Sequence, residues 1–291
     1  KLRKEMDMSR PSQRRFLYSL SSGNSIVFFI LLVLITAVIL GCINAERRET
    51  LRIAGSTTLQ PIISAAAEEY MKKHPDVLIY VQGGGSGTGI KMVSEGSVDI
   101  AMSSREIKEK EYKKTPELKK YEIALDGIAI VVNSDNPLDN LTKEQVRAIF
   151  SGKIRNFKDV GGDEREIVVV VRESGSGTRA TFDELVMNGE EVTDNALQKP
   201  SNGAVKATIA TNKNAIGYIG VGYVDESVKA LRINDVEPTR ENVRDGRYPI
   251  SRKLYLITKG DADGIAKDFI EFMLSEEGQR IVEENGFVRI S

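Results

Sequence analysis

From residue 51 onward, short apolar runs alternate with stretches of helical period, and three of the junctions carry glycines mixed with small hydroxyl residues. Residues 51–54 read as a strand. Residues 60–73 read as a helix with Ile62, Ile63, Ala66, Ala67 and Tyr70 on one face, stopped by His74-Pro75-Asp76. Residues 77–82 form a second strand, 87–95 a short helix and 98–102 a third strand. Continuous apolar runs at 128–132 and 167–171 are of buried-strand type. Helices are expected over 142–150, capped by Thr142, and over 178–187. Strands return at 216–219 and 254–257, and the chain ends in helical patterns over 262–284. This order predicts an α/β fold with mainly parallel sheets, whose ligands collect beyond the carboxyl ends of the strands.

The junctions themselves narrow the chemistry. Gly-Ser-Gly-Thr occurs at Gly85-Ser86-Gly87-Thr88 and again at Gly175-Ser176-Gly177-Thr178, and Gly55-Ser56-Thr57-Thr58 is related to both. Glycine allows close approach to the backbone, and the first N–H groups of a helix have no internal partner. One such turn is ordinary; three in one chain point to a single small anion held by several loops. Thr57, Thr58, Ser86 and Ser176 offer hydroxyls, and the N–H groups of Thr58, Gly177 and Thr178 offer helix-end donors. Arg172 ends the 167–171 run and supplies a guanidinium suited to a bidentate contact. An α/β chain of this length forms one domain or two, and the repeat of the turn favours two lobes with one ligand between them. The crossing points fall near Asp126-Gly127 and Tyr248-Pro249, giving one lobe of 51–126 plus 249–291 and another of 127–248.

Composition removes other classes. With 41 basic and 42 acidic residues the chain lacks the basic excess of a nucleic-acid binder. His74 is the sole histidine and sits at a helix end, where a solvated role is expected rather than catalysis. No cluster of His, Cys or carboxylates has metal-ligand spacing. The run 83–89 lacks the Gly-Lys-Ser/Thr ending of a nucleotide loop. A binding module without cofactor is therefore expected over an enzyme.

The first 41 residues read as a leader. Arg3, Lys4, Arg10, Arg14 and Arg15 precede an apolar run from Ile26 to Leu40, interrupted only by Thr36. That run is short for a membrane span, which needs about 20 residues, and fits a signal-peptide core. Ile39-Leu40-Gly41-Cys42 follows the pattern of a prokaryotic lipobox, making Cys42 the expected lipidated residue and 42–50 a short tether. The remainder is then expected on the extracytoplasmic side of the cell membrane, held by a lipid anchor.

Several of these stretches together resemble a known family. Ala54-Gly55-Ser56-Thr57-Thr58-Leu59-Gln60-Pro61, the run 83–89 and Val98-Asp99-Ile100-Ala101-Met102-Ser103-Ser104-Arg105 are similar to the phosphate-binding lipoprotein of the high-affinity phosphate ABC transporter, the PstS family. The runs 149–156, 172–178 and 214–220 extend the resemblance, which covers essentially everything from Leu51 onward. It implies a two-lobed periplasmic-binding-protein fold of type II with the ligand in the cleft between lobes. It further implies a monomer that captures inorganic phosphate and delivers it to an ABC permease with its ATPase subunits. Another oxyanion (sulfate, molybdate or tungstate) and a non-transporting phosphate sensor are the competing expectations. By position, Thr57, Thr58, Ser86, Arg172, Ser176, Gly177 and Thr178 fall on ligand contacts. Ser104 stands where the best-known members place a proton-accepting Asp. It is followed by Arg105, and both join the candidate phosphate contacts. Asp126 and Glu173 are the carboxylates that could accept the proton instead.

Overall fold

The computed structural model describes residues 28–30 and 48–290. Residues 1–47 and 48–291 are separate units; in the first, Phe28, Phe29 and Ile30 are helical and exposed. Most of the expected leader, Cys42 and the start of the tether lie outside the described residues.

The second unit opens with β1 (Glu49–Gly55), α1 (Gln60–Lys73), β2 (Val77–Gly83), α2 (Ser86–Ser94), β3 (Ile100–Ser103) and α3 (Glu109–Lys114). β4 (Leu118–Asn133), β5 (Asn140–Leu141), α4 (Lys143–Phe150), β6 (Val168–Arg172), α5 (Gly177–Phe182), β7 (Leu197–Lys199), α6 (Asn202–Thr211) and β8 (Ala215–Gly220) follow. The chain closes with β9 (Val228–Ala230), β10 (Arg232–Ile233), α7 (Arg240–Arg244), β11 (Ser251–Lys259), α8 (Gly264–Leu274) and α9 (Glu276–Glu284). Local chemistry accounts for the helices, as two of them show. α1 has Pro61 in its first turn, buries Ile62, Ile63, Ala66, Ala67 and Tyr70, and has Lys72 and Lys73 in its last turn, where cations suit the helix dipole. At α4, Thr142 Oγ1 accepts from Gln145 N and Gln145 Oε1 accepts from Thr142 N, a reciprocal cap.

The strands run in the order β2-β1-β3-β11-β4-β8-β6-β7, with β9 also on β4. β1 pairs parallel with β2 and β3, and β6 pairs parallel with β7 and β8. Between these two parallel groups lie antiparallel β4 and β11, so the sheet is mixed rather than mainly parallel. The physical reason is the chain path. β4 is sixteen residues long, pairing with β11 over its first part and with β8 over its second. It therefore carries the backbone from one group to the other, and β11 brings it back.

Hydrophobic packing divides at the same place. Leu51, Ile53, Ile62, Ile100, Leu256 and Phe269 belong to one buried cluster. Ile128, Ile130, Phe150, Phe182 and Tyr218 belong to another, in which the Phe182 and Tyr218 rings stack with centroids 4.1 Å apart. Asp126 and Arg252 lie on the two crossing strands, directly opposite each other in the β4–β11 register.

Candidate functional site: hydroxyls between two sheet groups

Four turns leave the carboxyl ends of parallel strands and meet. Gly55-Ser56-Thr57-Thr58 follows β1, the glycine run follows β2, Ser103-Ser104-Arg105 ends β3, and Ser174 to Thr178 follows β6. The first turn requires glycine: Gly55 has φ +139°, and a Cβ there would stand 2.3 Å from Met102 O. All nine sequence-predicted contacts, Thr57, Thr58, Ser86, Ser104, Arg105, Arg172, Ser176, Gly177 and Thr178, are buried.

Most of them touch across the two parallel groups. Thr58 Oγ1 and Thr178 Oγ1 are 3.2 Å apart, and Arg172 Nη2 donates to Thr57 Oγ1 at 3.2 Å. Gly87 N donates to Gly175 O at 3.0 Å, so the twin turns are joined backbone to backbone. Thr181 Oγ1 donates to Ser104 O at 3.4 Å. Gly177 has no room for a side chain: a Cβ would lie 2.3 Å from Ser86 Oγ and 2.5 Å from Ser104 Oγ. Ser104 N donates to Ser86 Oγ at 3.1 Å, and Ser56 Oγ donates to Ser104 Oγ at 3.0 Å. Ser176 caps α5 by accepting from Arg179 N, which leaves the N–H groups of Gly177 and Thr178 without intrahelical acceptors. The Thr58 N–H, expected as a ligand donor, instead goes to Ser56 Oγ at 3.2 Å.

Arg172 holds the strongest electrostatic position. Its side chain is almost fully buried, and among the described residues it has no carboxylate at ion-pair distance. Nε donates to Lys199 O at 3.3 Å and Nη2 to Pro200 O at 2.9 Å as well as to Thr57. Nη1 is buried and has no partner. Burial pulls the guanidinium down to about 10, which still leaves it a cation at neutral pH. A desolvated cation with two unassigned N–H groups is a strong attractor for an anion. A depression of about 460 Å³, lined by Gly85, Thr88, Arg172, Ser176 and Pro200, leads to it from the surface.

Arg105 is directed elsewhere. Its Nη1 and Nη2 form a two-point ion pair with Glu111 at 2.8 and 2.7 Å, and Nη1 also reaches Glu106 O. Burial opposes ionisation of Glu111, but Arg105 and the Lys108 N–H hold its carboxyl below the usual range. Of the two carboxylates considered as proton acceptors, Glu173 is exposed at the rim of the depression. Asp126 is fully engaged: Oδ2 receives Arg252 Nε at 3.0 Å and Nη2 at 2.6 Å, and Oδ1 receives Val221 N. Burial pushes the Asp126 carboxyl up, with Arg252 pulling the other way.

Three neighbours escaped the sequence reading. Arg252 Nη1 donates to Thr178 Oγ1 at 2.9 Å, Asn202 Nδ2 donates to Thr58 Oγ1 at 3.0 Å, and Tyr223 OH donates to Thr57 O. Arg252 had one available signal, a charge placed just before the apolar run Leu254-Tyr255-Leu256-Ile257. Asn202 and Tyr223 had none.

Two α/β halves joined by paired strands, with donors converging between them, define the two-lobed architecture of a solute-binding protein. Residues 43–277 match the PBP superfamily domain. A relative from Bacillus subtilis strain 168 named phosphate-binding protein PstS is 41% identical over 244 residues, covering 83% of this chain and 81% of that one. A PstS from Borreliella burgdorferi is 30% identical over 276 residues, covering 91% and 98%. Among solved structures, a putative phosphate ABC transporter substrate-binding protein with bound phosphate from Clostridium perfringens superposes with a TM-score of 0.81. It is 42% identical, and the match covers 84% of this chain and 100% of that one. An ABC-type phosphate transport receptor from Vibrio cholerae gives 0.70 at 39% identity, covering 82% and 99%. The chain belongs to the PBP superfamily and, within it, to the PstS family of phosphate-binding proteins.

Proposed function

We propose that this protein captures inorganic phosphate between its two lobes and delivers it to an ABC permease for import, as a binding protein without turnover. The observation that carries this reading is Arg172, a buried cation with an unpartnered Nη1 among facing hydroxyls. Phosphate would take the two Nη1 N–H groups of Arg172, the hydroxyls of Thr57, Thr58, Ser86, Ser104, Ser176 and Thr178, and the N–H groups of Gly177 and Thr178. Each hydrogen bond to a charged group contributes about 1.5–3 kcal/mol net. Micromolar affinity corresponds to about 8 kcal/mol, so a handful of these donors suffices. Arg105 would act at one remove, its pair with Glu111 holding the Ser104 turn. The names of the Bacillus subtilis relative and the Clostridium perfringens structure support the same ligand and transport role.

The lobes in this reading are 51–126 plus 249–291 and 127–248, flexing where β4 and β11 cross. Cys42 would carry the lipid that holds the protein on the extracytoplasmic side of the cell membrane, which mass spectrometry of the membrane-associated form would detect. Calorimetric titration of the chain, stripped of carried-over ligand, tests the central claim. Micromolar or tighter phosphate binding is the expected result; a folded protein that binds no phosphate would refute it.

A further inference from the structure

Arg252 and Arg172 enter the same cluster with opposite hydrogen-bond accounts. A guanidinium has five N–H donors. In Arg252 all five are matched. Nε and one Nη2 N–H meet Asp126 Oδ2, the other Nη2 N–H meets Thr58 Oγ1 at 3.3 Å, and Nη1 meets Thr178 Oγ1 at 2.9 Å and Ser104 O at 3.4 Å. Arg172 leaves both N–H groups of Nη1 unmatched. Arg172 can therefore grip a ligand directly, while Arg252 has no donor left for one.

What Arg252 does is decide which way the hydroxyls point. A threonine hydroxyl has one hydrogen and two acceptor lone pairs. Asn202 Oδ1 accepts from Gly220 N at 3.3 Å, which turns its Nδ2 toward Thr58 Oγ1. Thr58 Oγ1 thus accepts from both Asn202 and Arg252, its lone pairs are filled, and its own hydrogen must be donated. Thr178 Oγ1 already accepts from Arg252 and lies 3.2 Å from Thr58 Oγ1. Any hydrogen shared by the two hydroxyls runs from Thr58 to Thr178, and the Thr178 hydrogen is then directed outward.

We infer that Arg252, held by Asp126 and assisted by Asn202, is a specificity-determining positioning residue that fixes the Thr58 and Thr178 hydroxyls as donors. This rests on the phosphate reading and sharpens it. At Thr178 the site rewards an oxygen atom that accepts, and at neither threonine does it serve a hydrogen the ligand must donate. The pair Arg252–Asp126 adds no net charge, so its effect is directional rather than Coulombic.

Two dianions separate that role from a merely structural one. Above its second ionisation phosphate carries one P–OH, whereas monofluorophosphate has the same charge, a fluorine in that place and no hydrogen to donate. Calorimetric affinities for both are compared in the full chain, in the charge-neutral double variant Asp126→Asn/Arg252→Gln, and in Asn202→Ala. Releasing the hydroxyls lets them turn and accept from P–OH. The ratio of phosphate to monofluorophosphate affinity should therefore rise about threefold to tenfold in the double variant, the range of one neutral hydrogen bond. Asn202→Ala, which frees one lone pair of Thr58, should shift the ratio the same way by less and serves if the double variant does not fold. A parallel loss of both affinities, or an unchanged ratio, overturns the inference while leaving phosphate capture standing. Absence of phosphate binding in the unmodified chain overturns the phosphate reading itself.

Discussion

At the scale of single residues the site is a problem of buried charge. Arg172 is nearly as buried as the core leucines, with neutral oxygens where a carboxylate would ordinarily stand. The Arg252–Asp126 pair solves the same problem internally, and removing one partner of such a pair usually costs about 3–5 kcal/mol. Arg172 has no such partner to leave stranded. Arg172→Ala should therefore leave the fold intact, with an unchanged circular dichroism spectrum, while phosphate affinity drops. Loss of two charge-assisted hydrogen bonds, about 3 kcal/mol or more in total, corresponds to at least about a hundredfold weaker binding. Calorimetry reads this directly, and an unaltered affinity would remove Arg172 from the contact set. The residues that carry this chemistry were legible in the sequence because glycine, serine, threonine and arginine clustered within a few positions. Arg252 was not, since its meaning depends on facing Asp126 across 126 positions of sequence.

Among the elements, legibility followed the strength of local signals. The boundaries of α1 could be read from its apolar face, its Pro61 and the His74-Pro75-Asp76 stop, all of which act within a few residues. β4 was read only over its second part, because Lys119, Lys120 and Glu122 interrupt the apolar pattern in the first. Those charges lie at the exposed start of the strand, and only the pairing with β11 reveals that it belongs to the sheet. The reversal that makes the sheet mixed was hidden for the same reason. α6 went unseen, since Gly203 and its threonines dilute the helical signal that Ser201 initiates by capping. The turn into α5 is where element and function meet most tightly. In Gly177→Ala the added methyl cannot coexist with Ser86 Oγ and Ser104 Oγ in their present positions. Either the serines rotate away from the ligand or the lobes stay apart. Phosphate affinity should fall at least about tenfold, the value of one charge-assisted hydrogen bond, and the thermal midpoint without ligand should barely move. Titration and a melting curve on the same sample separate this from general destabilisation.

For the whole molecule, the two lobes are neither one core nor two independent ones. Their apolar clusters are distinct, yet β4 runs continuously through both, pairing with β11 over its first part and with β8 over its second. Unfolding either lobe would strip the sheet partner from the other, so heat should melt the described 48–290 region in one transition rather than two. The contacts that join the ligand turns across the cleft are polar: Gly87 with Gly175, Thr58 with Thr178, Arg172 with Thr57. Polar contacts exchanged against water contribute only about 1 kcal/mol each, so closure depends on what lies between the lobes. An anion bound by donors from both sides stabilises only the closed, folded state. At a free concentration one hundred times its dissociation constant it adds about 2.7 kcal/mol. For a folded region of this size that corresponds to a rise in thermal midpoint of roughly 5–10 °C. Differential scanning calorimetry with phosphate, and with chloride at equal ionic strength, should show the full rise for phosphate alone. Equal shifts for both anions would assign the effect to general charge screening rather than to a ligand clasped between lobes.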